Sequence, residues 1–185
     1  MQQKIDKIKE FWQNQAILHG NLSTATSPDS IAFKMEIDTL IKNIPTGAKI
    51  LDIGCGNGAK AKEIIKNIHL ALKPNGIYLM MENFIEPLQN LNNARSRYNL
   101  EPIEIRWHNL YINQEQFLDQ ISNLFSVVKI DNFASTYYLI SRTLNAILNL
   151  KDNKVDYNST LNELAAKLPS LGDFSPEKLI VLKKV

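Results

Sequence analysis

The sequence is short of cysteine and of long apolar runs. Its one cysteine, Cys55, has no partner for a disulfide within the chain, which fits a reducing compartment. No apolar run approaches the length of a membrane span, and the polar N-terminus has no signal-peptide core. We therefore expect a cytoplasmic protein with no membrane partner.

The chain also lacks an excess of charge of either sign. Its 21 Lys and Arg residues balance 19 Asp and Glu residues, for a net charge of +2. This balance disfavours nucleic acid as a partner, and no basic patch is interleaved with aromatic residues. Since 185 residues without an internal repeat suit one domain, we predict a single unit over 1–185. Within it we expect a helical lid region over 1–46 and an α/β core over 47–185.

Glycine is scarce, with 7 residues in the whole chain, but three of the seven alternate in one loop. The run 49–53, which contains Asp52, predicts a buried parallel strand, and Gly54, Gly56 and Gly58 follow it. Glycine lets the backbone turn with positive φ and approach a ligand closely. A helix after the loop would offer unpaired N–H groups to a negative ligand group. The pattern therefore predicts a ligand-binding loop.

Two motifs in this order resemble the class I S-adenosylmethionine (SAM)-dependent methyltransferases. The glycine loop, with Asp two residues before its first Gly, resembles motif I of that family. The stretch Leu72-Lys73-Pro74-Asn75-Gly76, followed by an apolar run, resembles the start of the family's fifth strand. The resemblance implies SAM as the cofactor, with its methionine end held by the motif I loop. The implied cofactor residues are Asp52, Gly54, Cys55, Gly56, Asn57 and Gly58.

The sequence departs from this family between the two motifs. Only fifteen residues, 59–73, separate Gly58 from Pro74, and they read as one helix. A full domain has three more strand–helix units there, roughly 70 residues. By the resemblance, the missing segment is the one that binds the SAM ribose and frames the adenine.

The expected fold is α/β, a Rossmann-like methyltransferase sheet shortened to about four strands. N-terminal helices precede the sheet, and a helical insertion precedes its last strand. The expected strands are 49–53, 77–82, 126–131 and 178–184. The single crossover helix predicts direct parallel pairing of 77–82 with 49–53. The other edge of strand 49–53 would then be open, which predicts self-association.

Five further residues are candidates for cofactor or substrate contact. Lys34 is the cation nearest the position where related enzymes often carry an Arg for the SAM carboxylate, and Glu82 ends the second strand. On the substrate side the candidates are Trp107, His108 and Tyr137, with His108 also the one catalytic candidate because imidazole titrates near neutrality. The alternatives are a solvated Lys34, a packed His108 and a core Tyr137. No residues suggest a metal site.

The N-terminal region predicts two helices joined by a lid. The first helix covers about 3–18, and residues 19–27 form a small-polar loop that we expect to be mobile. The second helix begins with Ser27 as its cap. We expect the first helix to bury Ile5, Ile8, Phe11, Trp12 and Leu18, and the second to bury Ile37, Leu40, Ile41 and Ile44.

Three functions remain open on this reading. The first is SAM-dependent methyl transfer to a small-molecule or sugar-type acceptor, impaired by the internal gap. The second is a non-catalytic remnant or deletion product of a methyltransferase. The third is another nucleotide-binding α/β protein, such as an NAD-dependent oxidoreductase, which the tight glycine spacing disfavours.

Overall fold

The computed structural model describes residues 2–20, 29–49, 61–148 and 156–185. Within these ranges helices and strands are mixed along the chain. In order they are α1 (Gln2–His19), α2 (Ser30–Asn43), α3 (Ala61–Ala71), β1 (Ile77–Asn83), α4 (Ile85–Ser96), α5 (Gln114–Ile121), β2 (Phe125–Asp131), α6 (Ser135–Leu139), a π-helical segment (Ile140–Leu144), α7 (Asn145–Leu148), α8 (Thr160–Ala165) and β3 (Glu177–Lys184).

The three strands form one open sheet in the order β1-β3-β2, with β3 antiparallel to both neighbours. Ile180 pairs with Met80 on one side and with Ile130 on the other. These strands confirm three of the four predicted ones, each within one residue. In the described ranges no two paired strands run parallel. The predicted fourth strand, 49–53, and its pairing with 77–82 lie outside those residues, apart from Lys49.

The central strand β3 is buried on both faces, which explains its continuous Leu-Ile-Val-Leu run. Side chains alternate across a strand, so the run supplies two separate cores. Helices α3 and α5 cover one face, where the core is Ile65, Ile68, Met80, Phe84, Phe117, Ile121, Phe125, Ile180 and Leu182. Helices α2, α6 and α8 cover the other, where the core is Ala32, Phe133, Ala134, Tyr137, Ala165, Leu179 and Val181.

Helix α2 differs from the prediction in both its cap and its buried face. Asp29, not Ser27, is the N-cap, because its carboxylate accepts the Ala32 N–H at 3.0 Å. The predicted stripe is wrong at Ile37 and Ile41, whose side chains are exposed. The helix instead buries Ala32 and Thr39. Asp29 anchors the N-terminus, so the helix face on the same side as Asp29 is turned toward the sheet.

The boundaries of α1 agree with the prediction, but its packing agrees only in part. Ile8 is buried and Leu18 is 74 % exposed, so the expected stripe is wrong at its C-terminal end. Gly20 ends the helix as predicted. It adopts φ +57°, and its N–H bonds to the Ala16 carbonyl at 2.8 Å.

Over the run 136–150 the helical spacing of Ile140, Leu144, Ile147 and Leu148 predicts an apolar face, but the Leu144 and Leu148 side chains are exposed. The reason is the π-helical segment over Ile140–Leu144, whose wider turn shifts the inward face along the sequence. The buried residues are Tyr137, Ser141, Thr143 and Asn145.

Two predictions around α4 are also wrong. The helical spacing over 85–98 predicts an inward Tyr98 and a solvated Arg95, but Tyr98 is 60 % exposed while the Arg95 guanidinium donates to the Glu101 carbonyl at 2.7 and 2.9 Å. The alternation of apolar and charged residues over 103–107 predicts an extended edge segment, but these residues join no strand. Ile103 instead exchanges hydrogen bonds with the Asn92 side chain.

Candidate functional site

The carboxyl ends of β1 and β2 lie at the same edge of the sheet as the start of β3. Ligands of open α/β sheets generally bind at the carboxyl ends of strands. Here that edge carries an unusual number of half-buried and buried polar side chains. We call them the polar cluster: Asp29, Glu36, Glu82, Tyr111, Tyr137, Tyr138, Arg142, Tyr157 and Glu177.

An ion pair between Asp29 and Arg142 anchors the polar cluster. The Arg142 Nη2 atom lies 2.5 Å from the Asp29 Oδ2 atom, and both side chains are largely buried. The Asp29 Oδ1 atom accepts two more hydrogen bonds, from the Ala32 N–H and from the Tyr137 hydroxyl at 2.7 Å. One carboxylate therefore caps α2, neutralises Arg142 and satisfies the hydroxyl of Tyr137.

Arg142 also lies against two aromatic rings. Its guanidinium carbon is 5.0 Å from the centre of the Tyr138 ring and 4.6 Å from that of Tyr157. Burial by itself lowers the pKa of Arg142, but its interactions with Tyr138 and with the Asp29 carboxylate outweigh that effect and raise it. Arg142 is therefore a fixed positive charge, held by cation–π and ionic contacts.

The acidic half of the cluster brings three elements together. Burial, followed by a hydrogen bond to Glu36 and the charges of Glu36 and Glu82, raises the pKa of Glu177 well above its usual range. Burial likewise raises the pKa of Glu82. Its surroundings therefore favour the protonated form of Glu177, whose hydroxyl can donate to Glu36.

Three of the cluster's tyrosines have a raised pKa. Burial, then the charge of Glu177, raises the pKa of both Tyr111 and Tyr138. Burial and the hydrogen bond to Asp29 raise the pKa of Tyr137. Because Tyr137 already donates to Asp29, the hydroxyls of Tyr111 and Tyr138 can donate hydrogen bonds to an uncharged oxygen. In the part of the chain that the structure describes, no three His, Cys, Asp or Glu residues are arranged to hold a metal ion.

The predicted site residues fall into separate places. Glu82 and Tyr137 both belong to the polar cluster, although Tyr137 is core-packed and spends its hydroxyl on Asp29. Trp107 and His108 pack instead on α1. Lys34 is exposed and forms a surface ion pair with Asp38 at 2.8 Å.

The implied motif I residues all lie outside the described part of the chain. They are Asp52, Gly54, Cys55, Gly56, Asn57 and Gly58. The expected lid, 19–27, lies outside it too, except for His19 and Gly20.

Sequence reasoning missed Arg142, Glu36 and Glu177 as members of the site. The available signal was Arg142 itself, a charge within an otherwise uncharged run, Thr136 to Leu150. Neither glutamate carried a signal, because each is brought inward by pairing between elements distant in sequence.

A concave region lies between α3 and α5, on the opposite face of the sheet from the polar cluster. This groove has a volume of about 340 Å³, which is large enough for a small molecule. Its lining is mostly apolar: Ile65, Lys66, Leu110, Ile112, Asn113, Gln116, Phe117, Gln120, Ile121 and Leu124. Of the predicted site residues that the structure describes, none lines it.

Comparison with known proteins supplies no relative for this chain. No protein-family model, curated protein or solved structure matches it. Among the described helices, none combines the length and the apolar character that crossing a membrane requires.

Proposed function

We propose that this chain is a shortened, Rossmann-like SAM-dependent methyltransferase domain that acts on a small-molecule or sugar-type acceptor. The observation that carries the proposal is the position of β1. This strand starts at Ile77, directly after Leu72-Lys73-Pro74-Asn75-Gly76, where the resemblance puts the family's fifth strand. The glycine loop precedes it in the order that the family requires.

The closing strands give further support. The resemblance implies a final antiparallel pair with helical material between its members. Strands β2 and β3 pair antiparallel, and α6 to α8 lie between them in sequence. By the resemblance, β1, β2 and β3 correspond to the family's fifth, sixth and seventh strands. In the sheet, β3 lies between β1 and β2.

The chemistry of the polar cluster favours an uncharged acceptor. Glu82, with its raised pKa, and the hydroxyl of Tyr111 can donate hydrogen bonds at the carboxyl end of β1. SAM, when bound, supplies an electrophilic methyl group, and its methionine end would be held by Gly54, Gly56 and Gly58. The chain's own residues would then act by placing an acceptor oxygen, nitrogen or carbon in line with that methyl.

The competing proposal is a non-catalytic remnant, and the short stretch 59–73 favours it. Without ribose and adenine walls, a pocket loses roughly 25 cal/mol for each Å² of apolar contact and about 1.5–3 kcal/mol for each charged hydrogen bond. Several kcal/mol correspond to about a thousandfold in affinity. We therefore expect weak SAM binding and slow turnover, if any.

Calorimetric titration with SAM and with NAD separates these proposals. A methyltransferase binds SAM and not NAD, an oxidoreductase binds NAD, and a remnant binds neither. The control is Gly56→Val, because a β-branched residue there would block close approach of the ligand to the loop. SAM binding that survives in the Gly56→Val variant would show that the loop is not the SAM site.

A further inference from the structure

Helix α1 is attached by a set of stacked rings that we call the aromatic box: Phe11, Trp12, Trp107 and His108. The imidazole of His108 stacks on the Phe11 ring with 4.1 Å between ring centres and 19° between planes. The two indoles meet the imidazole edge-on, at 5.5 Å for Trp12 and 5.2 Å for Trp107. His108 therefore lies in the middle of the box.

The box lies apart from both cores of the sheet. Of the residues that the structure describes, none of α1 belongs to either core. Trp107 is half exposed, and Ile17 and Leu18 at the end of α1 face solvent. Docking of α1 therefore depends on the ring contacts to Trp107 and His108 and on Ile8, whose side chain is buried.

The imidazole is buried in a place that suits its neutral form. His108 is 8 % exposed, and its buried Nδ1 atom has no hydrogen-bond partner in the described residues. A neutral imidazole can leave that nitrogen unprotonated, as a lone pair against the rings. An imidazolium must protonate both nitrogens, which would place an N–H donor and a positive charge in the box without an acceptor.

We propose that His108 is a pH-sensitive latch, which holds α1 against the 101–111 loop while the imidazole is neutral and releases α1 when it is protonated. This inference does not depend on the proposed methyl transfer. It concerns a conformational equilibrium that exists whether or not the chain binds SAM.

The charges around the latch act in the same direction. Burial, followed by the positive charge of Arg106 on the same loop, lowers the pKa of His108. The charged residues of α1 close in sequence to Phe11 and Trp12 are exposed to solvent: Asp6, Lys7, Lys9 and Glu10. Glu104 on the loop is exposed as well.

The sign of the pH effect follows from this shift. Undocked, the imidazole titrates at its usual value of about 6.5; docked, it titrates lower. Docking is therefore fully favoured above that value, weakens as the pH falls through it, and levels off below the docked pKa. For each unit by which the two pKa values differ, the ratio of docked to undocked α1 falls about tenfold.

The chain carries a built-in reporter of this equilibrium. It has two tryptophans, Trp12 and Trp107, and both contact the His108 ring. The experiment is acrylamide quenching of tryptophan fluorescence in the full chain as the pH falls from about 8 to about 5. We expect quenching to increase with a midpoint below the usual histidine value, as undocking exposes Trp12.

Two variants make the test specific. His108→Phe keeps a ring in the box but cannot take a proton, so its quenching should not change with pH. His69→Gln removes a histidine that contacts Phe125 and no tryptophan, so it should respond as the parent does. An equal pH response in His108→Phe, or a flat response in the parent, would overturn the proposal.

A second measurement covers the case in which His108→Phe does not fold. Proton NMR of the parent follows the imidazole signals of its three histidines and the indole signals of its two tryptophans. Both indole signals should move with the midpoint of one histidine, and that histidine should remain in the His69→Gln spectrum. Indole signals that stay unchanged through every histidine midpoint would contradict the latch.

Discussion

The two N-terminal helices are attached to the rest of the chain in opposite ways. Helix α2 is fixed at its first residue by the buried Asp29–Arg142 pair and by Tyr137, and it contributes Ala32 to a core. Helix α1 is held by rings stacked around one imidazole, outside both cores. The two described helices of the predicted lid region 1–46 therefore differ. Helix α2 is tied into a core, whereas α1 is held by ring contacts that can be released locally.

The two attachments also depend on pH in opposite senses. The pKa of Glu177 is raised, so we expect its contact with Glu36, between β3 and α2, to weaken as the pH rises. The pKa of His108 is lowered, so we expect the box around it to weaken as the pH falls.

Arg142→Met should give the largest loss of stability. It leaves Asp29 buried without its cation, and breaking a buried pair from one side generally costs about 3–5 kcal/mol. Urea unfolding measures the loss. The matched control is Lys34→Met, which breaks the exposed pair with Asp38 and should change stability by about 0.5 kcal/mol or less. Similar small effects in both variants would mean that Arg142 does not anchor α2.

Tyr137→Phe should be the next most damaging change. It removes the hydroxyl that donates to Asp29 at 2.7 Å while keeping the ring in the core. Loss of a hydrogen bond to a charged group costs about 1.5–3 kcal/mol. Tyr98→Phe, at an exposed tyrosine, is the control and should unfold at the parent's urea concentration. If the two variants are equally stable, the Tyr137 bond contributes nothing.

Glu177→Gln tests the proton-dependent attachment of α2. A carboxyl with a raised folded-state pKa contributes stability below its usual value of about 4.5, and that stability is lost as the pH rises through the folded-state pKa. In that window the parent should lose about 1.4 kcal/mol per pH unit. The amide of Gln can bond to Glu36 without a proton, so the variant's stability should change less with pH. Curves of stability against pH that run parallel for the parent and the variant would contradict a protonated Glu177 in the contact with Glu36.

Phe11→Ala should have the smallest effect on the whole chain and a large one on α1. The variant breaks two aromatic pairs that dock α1, with Trp107 and with His108, each worth about 0.5–1.5 kcal/mol. Hydrogen exchange should show α1 losing protection while α2 and the sheet keep theirs. Loss of protection in all three regions together would show that α1 belongs to the same cooperative unit as the cores.

The contrast between the helices also explains how far the sequence could predict the fold. The strands were predictable, since β3 is buried on both faces and its apolar run is unbroken. The cap at Asn113 was predictable too, because it depends only on the next three residues. The buried face of α2 was not, since it is set by Arg142, more than a hundred positions away. The face of 135–148 was missed because a π-helical turn changes the period on which the prediction relied.

In the candidate site, too, some residues were predictable from the sequence and others were not. Glu82 was predictable as the end of a strand, where α/β proteins bind ligands. Its partners were not, because Glu36 and Glu177 meet it only through tertiary packing. For His108 the packed alternative fits its burial, while its neighbours Phe11 and Trp12 come from a different element and could not be predicted.

The most direct test of the functional account is the affinity of the full chain for SAM, measured together with its mass by light scattering. We expect binding weaker than micromolar and a sample that self-associates, because the family's ribose and adenine walls are missing and a sheet edge is predicted to be open. Micromolar SAM binding by a monodisperse monomer would contradict this account, since other residues would then have rebuilt the missing half of the pocket.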